Sequence, residues 1–104
     1  MADCPVMTTV RVMGGKWKPR ILWHLRQGPA GFGELHRAVG ASERMLARSL
    51  RELEACALIT RSVVPVGGVT TTEYAYSPYG RSLIPVLDAM GQWGLEHRVP
   101  SNSN

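Results

Sequence analysis

The sequence predicts an α+β domain that is mostly α-helical. Several segments repeat apolar residues every three or four positions, which is the spacing of one helix face. One run of β-branched residues is interrupted by Gly67-Gly68, the pattern of a hairpin. A long stretch near the C-terminus carries an apolar stripe. Because 104 residues suit one domain, we expect 1–104 to fold as a single unit.

Local signals set the ends of the expected elements. Pro5 suits the first turn of a helix, Gly28-Pro29 stop a helix, and Ser42 is a natural N-cap. Helices are expected at about 5–13, 16–26, 31–39, from Ser42 to about 56, and 78–97. Strands are expected at 59–66 and 69–76, joined by a tight turn.

The segment SERMLARSLRELE at 42–54 is amphipathic in an unusual way. At about 100° per residue, leucines 46, 50 and 53 fall on one face of a helix. The opposite face carries Arg44, Arg48 and Arg51. We therefore expect one side of this helix to pack on the core while the other presents guanidinium groups.

A short helix and a tight turn precede this segment, and a hairpin follows it. In such a helix–turn–helix with a hairpin, the second helix enters the major groove of DNA. Arginine suits that position because its planar fork contacts two acceptors on a guanine edge, or a phosphate. The alternative is a solvated face whose arginines pair with Glu52 and Glu54. The order of elements favours double-stranded DNA as the partner.

The charge distribution agrees with a polyanionic partner. The chain has a net charge of +4, yet residues 11–51 hold nine Lys or Arg against two acids. Residues 52–104 hold three Lys or Arg against five acids. Such asymmetry is typical of nucleic-acid binding, although a merely soluble basic face has the same composition.

Other classes of function find little support in the sequence. The three histidines and two cysteines lack ligand-like spacing, so no metal site is expected. No phosphate-binding glycine loop is present, and no cofactor is expected. Cys56 with His36 is a conceivable but unsupported catalytic pair, so an enzyme is not expected. The sequence contains neither a membrane span nor an evident secretory signal, and we expect a cytoplasmic protein.

The sequence also resembles the HxlR-type winged helix-turn-helix transcriptional regulators, which are related to the MarR group. The motifs that carry the resemblance are CPV at 4–6, GGKWKPRILWHL at 14–25, GPAGFGELHRAV at 28–39, LITR at 58–61, EYAYSPYGRSL at 73–83 and PVLDAMGQWG at 85–94. The resemblance implies a homodimer on a pseudo-palindromic operator. It implies a helix-turn-helix at about 31–56, a two-stranded wing at about 59–77 and dimerisation helices at about 5–13 and 78–97. A winged-helix module that binds proteins instead of DNA is the alternative.

Two sets of side chains are expected to carry this function. The DNA-binding set is Ser42, Arg44, Ala47, Arg48, Arg51, Arg37, Lys16, Lys18, Thr70, Thr71 and Thr72. The dimer set is Met7, Val10, Met13, Leu83, Val86, Leu87, Met90 and Trp93. Lys16 and Lys18 are either phosphate contacts or simply solvated. Trp17 and Trp23 are expected in the core rather than as stacking platforms.

Two departures from the family pattern and one cysteine complete the expectations. The tip of the wing, PVGGVTT, lacks the usual lysine or arginine. Ala57 replaces a glycine, and a left-handed cap there costs on the order of 1 kcal/mol, so a different helix ending is an open alternative. Cys4 matches the position at which some relatives sense oxidants. It is either a redox sensor or a small capping residue, and an unknown small-molecule effector also remains open.

Overall fold

The computed structural model describes residues 4–98, and four of its five α-helices lie within two residues of the predicted bounds. The α-helices are α1 Pro5–Met13, α2 Lys18–Leu25, α3 Phe32–Val39, α4 Glu43–Ala55 and α5 Ile84–Glu96. The strands are β1 Ala30–Gly31, β2 Ile59–Val66 and β3 Val69–Tyr76, and a 3₁₀ turn covers Gly80–Leu83. No helix of this part of the chain is long and apolar enough to cross a bilayer.

The hairpin has the predicted bounds, and the sheet contains one further strand. Val66 pairs with Val69, and both turn glycines have positive φ, 56° and 82°. β1 pairs antiparallel with β3, which gives the strand order β1-β3-β2. Both predicted strands of the wing are present; the third strand was not predicted, because a two-residue strand has no alternation for a sequence pattern to reveal.

The C-terminal helix begins later than predicted. The chain forms a 3₁₀ turn first, and α5 starts at Ile84 rather than near residue 78. Pro85 lacks an N–H and its ring crowds the preceding turn, so it is accommodated only near the start of an α-helix. Gly80 is required here, since a Cβ would lie 1.9 Å from the carbonyl oxygen of Leu58.

The core lies between the helices and the sheet. Its fully buried side chains are Ile21, Leu22, Leu35, Leu46, Leu50 and Leu53. The hydroxyl of Tyr76 donates to the carbonyl of Leu22 over 2.5 Å and so ties β3 to α2. Burial raises the pKa of Tyr76 to about 12, and the charge of Asp88 acts in the same direction.

The two tryptophans near α2 differ from each other. Trp17 is partly buried against the core, as expected. Trp23 is 38% exposed, so its placement in the core was wrong. Its ring stacks under Arg26, 3.5 Å from the guanidinium carbon, and lies so close to Gly91 that a Cβ there would approach a ring carbon to 2.1 Å.

The end of α4 has the left-handed cap despite the alanine. Ala57 has φ 64°. Its N–H donates to Glu54 O over 2.9 Å, and the N–H of Leu58 donates to Leu53 O over 3.1 Å. These two bonds form a Schellman motif, which satisfies the last carbonyls of the helix. The strain expected from the sequence is therefore present, and the helix does not end differently.

Candidate DNA interface

The helix–turn–helix is built by short-range capping. α3 ends at Val39 and is capped by Gly40, whose φ of 87° reverses the chain. Two residues later the side chain of Ser42 accepts a hydrogen bond from Met45 N over 3.1 Å, as the N-cap prediction required. The turn therefore sets the start of α4 relative to α3.

The faces of α4 separate as the sequence predicted. Leu46, Leu50 and Leu53 are buried, and Ser49 is buried beside them. The solvent side presents Arg44, Arg48 and Arg51, with Ala47 half-buried at its margin. Because the apolar face of α4 is packed against the core, the guanidinium groups on the opposite face point into solvent.

The three arginines differ in their partners. Arg48 Nε lies 3.2 Å from Glu52, so the predicted alternative of internal pairing holds for this residue. Between residues 4 and 98, no carboxylate forms an ion pair with Arg44 or Arg51. Glu54 instead lies 3.7 Å from Arg61 on β2. Two of the three guanidinium groups on α4 are therefore open to an external acceptor.

Glu52 joins α4 to the start of α2. Its carboxylate contacts Lys18 Nζ at 2.9 Å as well as Arg48. Hydrogen bonds from Lys18, and then from Arg48, hold the pKa of Glu52 below its ordinary value of 4.5. The ammonium of Lys18 is thus engaged by the protein itself, whereas Lys16 stays exposed, 4.8 Å from the centre of the Trp17 ring.

A cleft runs between α4 and the sheet. It has a volume of about 560 Å³, and Arg51, Glu54, Arg61 and Tyr74 line it. Burial raises the pKa of Tyr74, and the charge of Glu54 adds to this effect. Arg61 was not among the predicted site residues. Arg61 pairs with Tyr74 in the hairpin, and paired residues point to the same face of a sheet. This pairing is the signal that could have placed Arg61 on the side of α4.

The remaining predicted residues are spread around this surface. Arg37 is exposed on α3. Thr70 and Thr71 are exposed on the hairpin, and Thr72 is half-buried. The tip exposes valines instead of cations: Val63, Val66 and Val69. The structure therefore gathers Lys16, Lys18 and Arg61 next to α4, while Arg37 and the threonines lie on separate elements.

The predicted dimer residues form an incomplete apolar face. Met7 and Val10 on α1 and Val86, Met90 and Trp93 on α5 are exposed. Leu83 is partly buried against the core. Met13 and Leu87 are buried within this chain, because each points from its helix into the core, so they offer little surface to a partner.

The two cysteines are free thiols and both are exposed. Cys4 occupies the N-cap position of α1, but its side chain makes no capping hydrogen bond. Cys56 is the C-cap of α4. In the described part of the chain, no group of three or more His, Cys, Asp or Glu side chains is placed to hold a metal ion.

An amphipathic second helix, its preceding turn and a hairpin packed beside it define a winged helix-turn-helix domain. The profile of the HxlR-like helix-turn-helix family matches residues 12–102. An HTH-type transcriptional regulator of Methanothermobacter thermautotrophicus is 42% identical over 92 residues, which cover 88% of this chain and 70% of the relative. The HTH-type transcriptional regulator YtcD of Bacillus subtilis is 44% identical over 96 residues, which cover 88% and 73%.

Solved structures agree with the sequence relatives. The redox regulator HypR in its oxidised form is 37% identical, with a TM-score of 0.85, and the match covers 93% of this chain and 100% of that chain. Its reduced form gives a TM-score of 0.84 at 36% identity, covering 91% and 94%. The chain belongs to the HxlR-like helix-turn-helix family, and it is a DNA-binding transcriptional regulator.

Proposed function

We propose that this regulator binds its operator as a homodimer, with α4 of each subunit in the major groove. The carrying observation is the outward face of α4, where Arg44 and Arg51 have no carboxylate partner among residues 4–98. The family and the overall basic charge support the same surface. The proposed place of action is the cytoplasm, where a regulator of this kind meets its operator.

Each cation on this surface has its own role in the proposal. Arg44 lies in the first turn of α4, the part of a recognition helix that reaches base edges, so it reads a base. Arg48, oriented by Glu52, reads a base or a phosphate. Arg51 on α4, with Arg61 and Lys16 beside the helix, binds phosphates.

Other predicted residues support this arrangement. Ser42 fixes the start of α4, and Ala47 leaves room for the helix to approach the groove. Arg37 and the exposed threonines, Thr70 and Thr71, reach the backbone farther out. Because Lys18 forms an ion pair with Glu52, its main role in the proposal is to hold α2 against α4 rather than to contact DNA.

The test uses an operator selected from random DNA and measures binding by gel shift. Arg44→Ala is expected to weaken binding by about 1–3 kcal/mol and to relax the preference at one base position. Arg51→Ala is expected to weaken all sequences alike and to reduce the slope of log K against log salt by about 0.9. Arg98→Gln, which changes the same charge away from this face, is the control.

If both variants bind like the parent, α4 is not the DNA-binding face. Failure of the parent to select any DNA sequence, with normal folding, would favour the protein-interaction alternative.

The dimer proposal rests on the uncovered apolar side chains of α1 and on those of α5. On α5 they continue into an apolar groove of about 360 Å³ between α2 and α5, where Trp23, Leu87 and Met90 are among the lining residues. Exposed patches of this kind mark interfaces in small proteins. A two-fold axis would set the recognition helices about 34 Å apart, one DNA turn. Sedimentation as a monomer at micromolar concentration would contradict it.

Oxidation of Cys4 is the proposed switch. The supporting observations are its exposed position at the N-cap of α1, next to the proposed interface, and the similarity to the redox regulator HypR. An oxidised Cys4 would change how α1 sits against a partner subunit. Gel shifts with and without peroxide test this on the parent and on Cys4→Ser. An equal response of both proteins, or none in either, would exclude Cys4 as the sensor.

A further inference from the structure

α5 rests on the rest of its chain along one narrow line. Ile84 and Gly91 are half-buried and Leu87 is buried, whereas every other residue of α5 is exposed. These three positions are spaced by three and four residues, so they lie on one side of the helix. Beyond Gly91 the helix projects from the domain as far as Glu96. The direction of this projecting end therefore depends on few contacts.

The start of α5 is tied to the end of α4. The hydroxyl of Ser77 donates to the carbonyl of Ala57 over 2.6 Å, and the N–H of Gly80 donates to the same hydroxyl oxygen over 2.8 Å. Gly80 also approaches the backbone of Leu58 so closely that no side chain fits there. The 3₁₀ turn before α5 is thus a fixed point, and α5 changes its direction by tilting about it.

Trp23 on α2 sets this tilt at the far end of the line. A Cβ on Gly91 would lie 2.1 Å from a ring carbon of Trp23, so the ring packs directly on the backbone of α5. The ring is backed by Arg26, whose guanidinium carbon lies 3.5 Å from the ring centre. Arg26 is in turn held by Asp88 of α5, with its Nη1 3.3 Å from Oδ1. The ring is therefore held in place as a spacer between α2 and α5.

We propose that the contact between Trp23 and Gly91 sets the distance between the two recognition helices of the dimer, and so the half-site spacing that the regulator accepts. The inference rests on the proposed homodimer, whose interface includes Met90 and Trp93 on either side of Gly91. Because these side chains would hold the partner, a tilt of α5 turns each DNA-binding surface relative to the two-fold axis. Trp23 and Gly91 are positioning residues in this proposal, since they act on DNA binding through α5.

The expected displacement is large enough to change the preferred operator. Nonbonded carbon atoms approach to about 3.5 Å, so a Cβ at residue 91 would push α5 away from the ring by roughly 1.5 Å. Over the roughly 10 Å of helix from Ile84 to Gly91, this is a tilt of about 8°. At about 17 Å from the two-fold axis, half of one DNA turn, two such tilts change the separation of the recognition helices by up to about 5 Å. Because the rise per base pair is about 3.4 Å, the spacing changes by about one base pair.

The test measures half-site spacing with the full chain. The operator selected with the parent is rebuilt with its spacer shortened or lengthened in steps of one base pair, and gel shifts measure binding to each DNA. Gly91→Ala should move the best spacer by about one base pair or more, while affinity for an isolated half-site stays within about twofold of the parent. Gly94→Ala is the matched control, because it adds the same methyl group to α5 where no atom of the described chain lies within 4 Å. It should keep the best spacer of the parent.

Changes at Trp23 separate the proposed contact from other effects of residue 91. Trp23→Leu removes the ring without adding bulk to α5, so the discrimination between the best spacer and its neighbours should fall by about threefold or more. In the Trp23→Leu background, Gly91→Ala should have no further effect, because the ring that the methyl group meets is gone. Sedimentation and circular dichroism check that each variant is dimeric and folded.

An unchanged best spacer in a folded, dimeric Gly91→Ala variant would overturn the inference, because the ring would then yield instead of the helix. An equal shift with and without the Trp23 ring, or an equal shift in Gly94→Ala, would also overturn it, since the methyl group would then act on the partner subunit. A parent that binds DNA as a monomer would contradict the proposed homodimer and this inference together, so the two failures are distinguishable.

Discussion

α4 and α5 are both 13 residues long, yet they differ in how much of their apolar surface the chain itself buries. α4 buries four residues and turns arginines to solvent. α5 buries only Leu87 and leaves Val86, Met90, Trp93 and Leu95 exposed. The apolar face of α4 is buried within its own chain, whereas most of the apolar face of α5 is exposed to solvent.

The contrast indicates that the two helices of this small domain serve different kinds of contact. Tight packing of α4 gives its charged side chains fixed positions, which base reading requires. The uncovered face of α5 would be unfavourable in water unless something covers it, and a second copy offers a matching apolar face. One helix is therefore suited to a polar partner, and the other to an apolar one.

The largest expected effect concerns the core side of α4. Leu50→Ala should lower the free energy of unfolding by about 2–5 kcal/mol, because it leaves a cavity under the helix. Met45→Ala is the matched control on the outer side of the same helix and should cost less than about 1 kcal/mol. Urea unfolding followed by circular dichroism measures both. Similar losses of stability in the two variants would mean that Leu50 does not face the core while Met45 faces outward.

A charge on α5 should break the proposed dimer. Met90→Glu would bury an unpaired carboxylate at the interface and should weaken dimerisation by about 100-fold or more. Met90→Leu keeps the apolar volume and should stay dimeric. Sedimentation at several concentrations measures the change. If Met90→Glu dimerises like the parent, the partner does not cover this part of α5.

The sequence predicted the elements whose signals are local. Gly67-Gly68 gave the hairpin its register, and Ser42 gave α4 its start, since both act within a few residues. The inward leucines and outward arginines of α4 also followed from helical spacing alone. These features need no knowledge of the rest of the fold.

The features that were missed depend on contacts between distant segments. β1 exists because Ala30 reaches Tyr74, a pairing that no local pattern marks. Met13 and Leu87 are buried in the core of their own chain, although they were predicted at the dimer interface. An apolar stripe on a helix does not show which of its residues the same chain covers and which a partner covers. The ion pair between Arg61 and Glu54 joins a strand to a helix, so only the packed structure reveals it.

The strained cap offers a moderate gain in stability. Ala57→Gly should raise the free energy of unfolding by about 1 kcal/mol, because glycine adopts a φ of 64° without the clash of a Cβ. The higher entropy of glycine in the unfolded chain reduces part of this gain. Thermal unfolding should show a higher Tm. A lower Tm would mean that the Schellman bonds at the end of α4 contribute less than their geometry suggests.

The smallest expected effect concerns Glu52, the acid that contacts Arg48 on the cationic face of α4. Glu52→Gln removes a negative charge between Lys18 and Arg48, so affinity for any DNA sequence should rise by about two- to fivefold. Because Arg48 loses the carboxylate that orients it, the ratio of operator to random-DNA affinity should fall at the same time. Gel shifts with both DNAs at two salt concentrations measure this. An unchanged ratio would show that Glu52 sets the charge of the recognition surface but does not position Arg48 for reading.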